Sequence, residues 1–218
     1  MTTSGGTVTI DSNDLASLTG AIDGTAGTVT LLVTADSSVA SATLTDVVID
    51  LESGVDLTLT YGQHALLGTG TGTNVVTLSG TAQNLTGNTS IESYVLASGT
   101  QTFTLGHDAQ NVTTSGGTVT IDSNDLASLT GAIDGTAGTV TLLVTADSSV
   151  ASATLTDVVI DLESGVDLTL TYVQHALLGT GTGTNVVTLS GTAQNLTGNT
   201  SIESYVLASG TQTFTLGT

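Results

Sequence analysis

The chain has 218 residues, 19 of them acidic, with no Lys, Arg, Cys, Pro or Trp, so its formal charge is -19. That composition excludes a disulfide framework and argues against a nucleic-acid partner, because phosphate binding rests on Lys and Arg. Anionic membrane surfaces are disfavoured for the same reason, and divalent cations remain as possible counter-charges. Charged residues still make up only 9% of the chain, and mean hydropathy is positive. Such a chain can bury apolar surface, which an acidic disordered chain cannot.

The start, Met1 to Gly6, has no basic region and no apolar run, so it does not read as a signal peptide. Export would rest on another address. No stretch approaches the roughly 18 apolar residues of a membrane span, and no membrane insertion is expected.

The first predicted strand is Val8-Thr9-Ile10, an apolar-Thr-apolar triplet. It recurs as Val29-Thr30-Leu31, Leu57-Thr58-Leu59, Val76-Thr77-Leu78 and Phe103-Thr104-Leu105. Alternation with period two marks a strand whose Thr faces out and whose apolar neighbours face in. Gly and Asn clusters between triplets supply turns. Asn13 to Leu18 is the one place where a helical turn is expected, capped by Ser12 or Asn13.

Asp11, Asn13 and Asp14, with Ser12 among them, bring carboxylate, hydroxyl and amide oxygens within four residues, the donor set of a calcium site. The copy is Asp122, Asn124 and Asp125. The competing reading is a capped turn, since these side chains bond nearby backbone amides. A second acidic stretch holds Asp46, Asp50, Glu52 and Asp56, copied at Asp157, Asp161, Glu163 and Asp167. Asp50, Glu52 and Asp56 could share a strand face, as could Asp161 with Glu163, and bind calcium, or form a solvated acidic face.

His64 and His175 follow a Gln, and His107 stands alone. These spacings make polar turn residues rather than a metal cluster. Gly68-Thr69-Gly70-Thr71-Gly72 lacks the following helix and Lys of a phosphate loop, and is expected to be a corner. Asn84, Asn88 and Asn111 open sequons, but corner Asn residues (84, 111 and 195) bonding neighbouring coils are the more physical expectation. No nucleophile is singled out beside a His, so the chain is not expected to be an enzyme.

Thr2 to His107 repeats as Thr113 to Thr218 at an offset of 111 residues, and of the 106 pairs only Gly62/Val173 and His107/Thr218 differ. Residues 1–112 are the first copy, and 113–218 a slightly truncated second. Within a copy, Val76 to Thr86 aligns without a gap to Phe103 to Thr113. A period of roughly 22 residues, repeated about ten times, predicts an all-β fold, a β-solenoid whose coils stack at about 4.8 Å into a rod of roughly 48 Å. The alternative is two tandem β-sandwich domains, against which the missing Trp and Cys stand. Val173 opposite Gly62 implies a site without positive φ, in an exposed strand or corner.

The segment Ser90 to Leu105 (SIESYVLASGTQTFTL), followed by Ala109-Gln110-Asn111-Val112, resembles the Thr/Gly/Asp-rich repeats of large bacterial secreted proteins, the RTX-type adhesins and S-layer proteins. The chain lacks their calcium-binding Gly-Gly-x-Gly-x-Asp nonapeptide. The resemblance implies an extracellular or cell-surface location. The expected function is structural: a fibre, biofilm matrix or surface layer built by head-to-tail stacking of this chain on itself, because the last triplet and the opening residues are two parts of one coil. The alternatives are an adhesin stalk whose stability depends on calcium, and ice binding through the Thr-x-Thr pairs Thr7/Thr9, Thr28/Thr30 and Thr102/Thr104.

Overall fold

The computed structural model describes residues 1–3, 5–12 and 15–217. Asn13 and Asp14, part of the first calcium candidate and of the expected helical turn, lie outside the described residues. Two compact units are present: Met1–Gln83 with Gly87–Gly99, and Asn84–Thr86 with Thr100–Thr218. Their boundary falls inside the first sequence copy, so the units are not the copies.

In the first unit the strands Thr7–Asp11, Thr28–Val33, Val47–Leu51 and Leu67–Gly70 form one parallel sheet. Ser37–Ser38, Asp56–Thr60, Val75–Ser79 and Ser93–Leu96 line up beside one another on a second face, and Ala21–Asp23 pairs with Thr43–Thr45 on a third. Neighbouring strands are 21 residues apart where Thr7 meets Thr28, 18 where Val29 meets Val47, and 22 where Ala21 meets Thr43. The chain therefore winds once per 18 to 22 residues and lays each turn parallel on the last, which is a β-solenoid. The second unit is built the same way. Its main sheet runs Leu85–Thr86, Gly99–Thr104, Gly117–Asp122, Thr139–Val144, Val158–Leu162, Leu178–Gly181, with only Gly99 belonging to the first unit. The two units together hold about 11 turns.

The alternation of the sequence is the cause. Val29, Leu31 and Val33 stand beside Val47, Ile49 and Leu51, and all six are at most 2% exposed. The Thr between them faces out. Stacked like side chains fill a narrow interior, each contributing about 1.5–3 kcal/mol on burial. The uneven triplet spacing also has its reason here: Val29 and Leu57 sit on different faces, so the intervals between triplets do not equal the length of a turn.

Three local expectations change. The Asn13 to Leu18 turn is not helical where its copy is described: Asn124 and Asp125 both have φ of 54°, in the left-handed region that Asn and Asp tolerate best among non-Gly residues. The helical turns lie elsewhere, at Tyr61–His64 and, as a 3-10 turn, at Gln174–Leu177. In the first of these, the Thr60 hydroxyl accepts from the Gln63 amide while Gln63 Oε1 accepts from the Thr60 amide, a capping box. Leu67–Gly70 is a strand rather than a corner, and the turn follows it.

Val173 has φ -70° and is 75% exposed. The Gly62/Val173 position thus needs no positive φ, but it belongs to the helical turn rather than to a strand. A tight approach does occur at Gly24, where a Cβ would stand 2.1 Å from the carbonyl oxygen of Asp46. Asp46 itself turns the chain at φ 50°.

With 19 carboxylates and no Lys or Arg, added salt has repulsion to screen and almost no ion pair to weaken. Raising NaCl from about 0.01 M to about 1 M shrinks the Debye length from roughly 30 Å to roughly 3 Å. The melting temperature is expected to rise by several degrees over that range, read by circular dichroism. A flat or falling value would contradict this account of the charge.

Candidate functional site

The polar side chains of this molecule are spent chiefly on backbone groups of adjacent coils. Asn74 is fully buried. Its Oδ1 accepts from the amide of Val55 at 2.9 Å, and its Nδ2 donates to the Thr71 carbonyl at 3.1 Å. Glu92 Oε2 in turn accepts from the Asn74 amide at 2.7 Å. Asn185 repeats the arrangement with Val166, Thr182 and Glu203. The expected corner bonds are present: Asn84 accepts from Thr102, Asn111 from Ala132 and Asn195 from Thr213, each 18 to 21 residues away. Asn88 Nδ2 donates to the carbonyls of Leu67 and Gly68. Asn74 was not singled out by sequence reasoning, although the signal existed: like Asn84 and Asn111, it stands at the start of a strand.

The acidic candidates are placed in the same way. Asp50 Oδ1 accepts from the Thr69 amide at 2.8 Å and from its hydroxyl at 3.1 Å. Asp161 accepts from the Thr180 amide at 2.6 Å. Glu52 and Glu163 are exposed, one residue beyond the strands that carry those aspartates. Asp11 accepts from the Thr34 hydroxyl. In the described copy of the first candidate, Asp122 Oδ1 accepts from the Asn124 amide at 2.8 Å, Asn124 Nδ2 donates to the Leu105 carbonyl, and the Asp125 amide donates to the Thr145 hydroxyl. This is the geometry of a capped turn. Among the described residues, no three His, Asp or Glu side chains gather as a metal would need. Asp36 takes the Asp56 amide and Asp147 that of Asp167. Hydrogen bonds from Thr25 and Thr136 hold the carboxyls of Asp23 and Asp134 below the usual range.

His64 belongs to a second kind of cluster. The Tyr94 hydroxyl accepts from the Asn88 amide at 2.9 Å and lies 2.9 Å from His64 Nε2. Burial lowers the His64 pKa and raises that of Tyr94, so both are neutral at pH 7 and the phenol donates to the imidazole. His175, Tyr205 and Asn199 form the same chain. A base whose folded pKa is depressed loses stability as pH falls from its unfolded value, about 6.5, through its folded value. Melting temperature is therefore expected to drop between pH 7.5 and 5.5. The double variant His64→Gln/His175→Gln should flatten that slope, and an undiminished slope would show that these residues do not cause it. His107 Nδ1 accepts from the Ala109 amide.

Outward Thr rows are short. Thr7 and Thr9 stand beside Thr28 and Thr30, but the next strand puts Val48 beside Thr30, with Asp50 two residues on. No helix among the described residues is long and apolar enough to cross a membrane.

These features define a class: an all-β tandem-repeat protein, a parallel β-solenoid whose polar groups serve coil-to-coil stacking. No family model matches the chain, and no curated protein and no solved structure matches it.

Proposed function

We propose that this chain is a non-catalytic structural repeat protein that contributes to an extracellular or cell-surface fibre, matrix or surface layer by stacking copies of its 111-residue unit head to tail. The observation that carries the reading lies inside the second unit. There the strand Gly99–Thr104, from the first copy, lies next to Gly117–Asp122, from the second. The Leu105 amide donates to the Asp122 carbonyl at 3.0 Å, and Asn124 Nδ2 donates to the Leu105 carbonyl at 2.9 Å. Copy therefore follows copy with ordinary coil spacing, and the contact is heterologous, of the kind that extends rather than closes. The Thr/Gly/Asp-rich rhythm shared with bacterial surface repeats supports the location.

Negative-stain electron microscopy of the purified protein, with calcium or with chelator, tests the reading. Filaments a few nanometres wide are expected. Their appearance only with calcium would favour the adhesin-stalk form of the proposal, and compact monomers at high concentration in both conditions would overturn it.

A further inference from the structure

In the first unit the Thr9–Thr30 row meets Val48 on the next coil. In the second unit a larger array forms where copy follows copy. Thr118 stands beside Thr139, and Thr120 beside Thr141. On the other side the Leu105 amide donates to the Asp122 carbonyl, a register that sets Thr100 beside Thr118 and Thr102 beside Thr120. The first copy thus supplies Thr100 and Thr102, and the second supplies the other four. Gln101, Val119 and Val140, the residues between them along the strands, are at most 4% exposed. All six Thr therefore stand on the outer face of one parallel sheet.

The array is regular, with neighbouring coils about 4.8 Å apart and alternate residues of a strand about 6.6 Å apart. It is also neutral, on a chain of charge -19. Asp122, two residues after Thr120, turns its carboxylate to the Asn124 amide. The six hydroxyls are unspent: among the described residues none of them bonds to the protein, whereas those of Thr69, Thr130 and Thr145 do. Each keeps one donor and two acceptor positions for water.

We propose that this Thr array is an ice-binding face, whose ligand is the surface of crystalline water. The prism face of hexagonal ice repeats its oxygens at intervals close to the two spacings of the array. Waters resting between the methyl groups and bonded to the hydroxyls are thereby held near lattice positions before contact. Immobilising water costs entropy, and a sheet fixed by its backbone hydrogen bonds and buried side chains is organised for that contact in advance. The inference is independent of head-to-tail stacking, because the array lies within one chain.

The test is ice recrystallisation in sucrose solution at micromolar protein, with circular dichroism as the folding control. The wild type is expected to keep ice grains small and to facet single ice crystals. Thr120→Tyr, between Thr102 and Thr141, should raise the protein concentration needed at least tenfold, and the milder Thr120→Ser should raise it several-fold. Thr169→Tyr is the control, on a different sheet of the same unit where Thr169 stands beside Thr188, and should match the wild type. Grain growth that the wild type leaves unchanged overturns the proposal. So does either Thr120 variant acting like the wild type, or Thr169→Tyr losing as much as Thr120→Tyr.

Discussion

Replacing Asn74 by Ala is expected to cost about 2–3 kcal/mol, because it strands the buried amide of Val55. Val55 is 2% exposed and Asn74 fully buried, so water cannot take the place of Oδ1. Asn185→Ala should cost the same, through Val166. Urea midpoints measure both. Asn74→Asp is the sharper case. The carboxylate keeps an acceptor for Val55, but its second oxygen replaces the amide that donated to the Thr71 carbonyl. No Lys or Arg exists to compensate the charge, and burial favours the protonated form. A group whose folded pKa is raised contributes stability at low pH and loses it as pH rises. Asn74→Asp should therefore be markedly less stable at pH 8 than at pH 4, while Asn74→Ala shows no added pH dependence. An Asp variant that matches wild type at pH 8 would mean that the site is open to water.

Leu59→Ala is expected to cost about 2–5 kcal/mol, the range for large-to-small changes where the surroundings cannot collapse. Leu59 is fully buried and stands beside Leu78 in the stacked register. Backbone hydrogen bonds fix the spacing between turns, which limits how far the neighbours can move into the cavity. Val48→Ala is the control: Val48 is 41% exposed on the outer face of its strand, and its change should stay within about 0.5 kcal/mol. Equal losses at the two sites would contradict the inward and outward assignment.

That assignment was legible in the chain because period two is a direct consequence of strand geometry. Val29-Thr30-Leu31 and Leu57-Thr58-Leu59 announce strands without reference to anything distant. The stacked fold followed from repetition of such short triplets. What was not legible depends on partners a whole turn away. Asn74 looks like any turn residue until Val55 is found 19 residues earlier. Gln63 reaches back to the carbonyls of Val39 and Ala42, and with Thr60 it turns Tyr61–His64 into a helical turn within a strand-rich sequence. The helical turn expected at Asn13 to Leu18 was a choice by local propensity. In the copy, Asp122 and Thr145 take up the backbone amides of Asn124 and Asp125, and the chain turns left-handed. At Asp50 and Asp122 the oxygen-rich spacing was legible, but not which backbone amides these carboxylates accept from, those of Thr69 and Asn124.

X-ray diffraction from aligned assemblies of the purified chain tests the central claim most directly. Stacking of coil on coil predicts a sharp reflection at about 4.8 Å along the filament axis, the spacing of neighbouring strands. The same reflection lying across the axis, or no ordered assembly at any salt concentration, would contradict head-to-tail stacking.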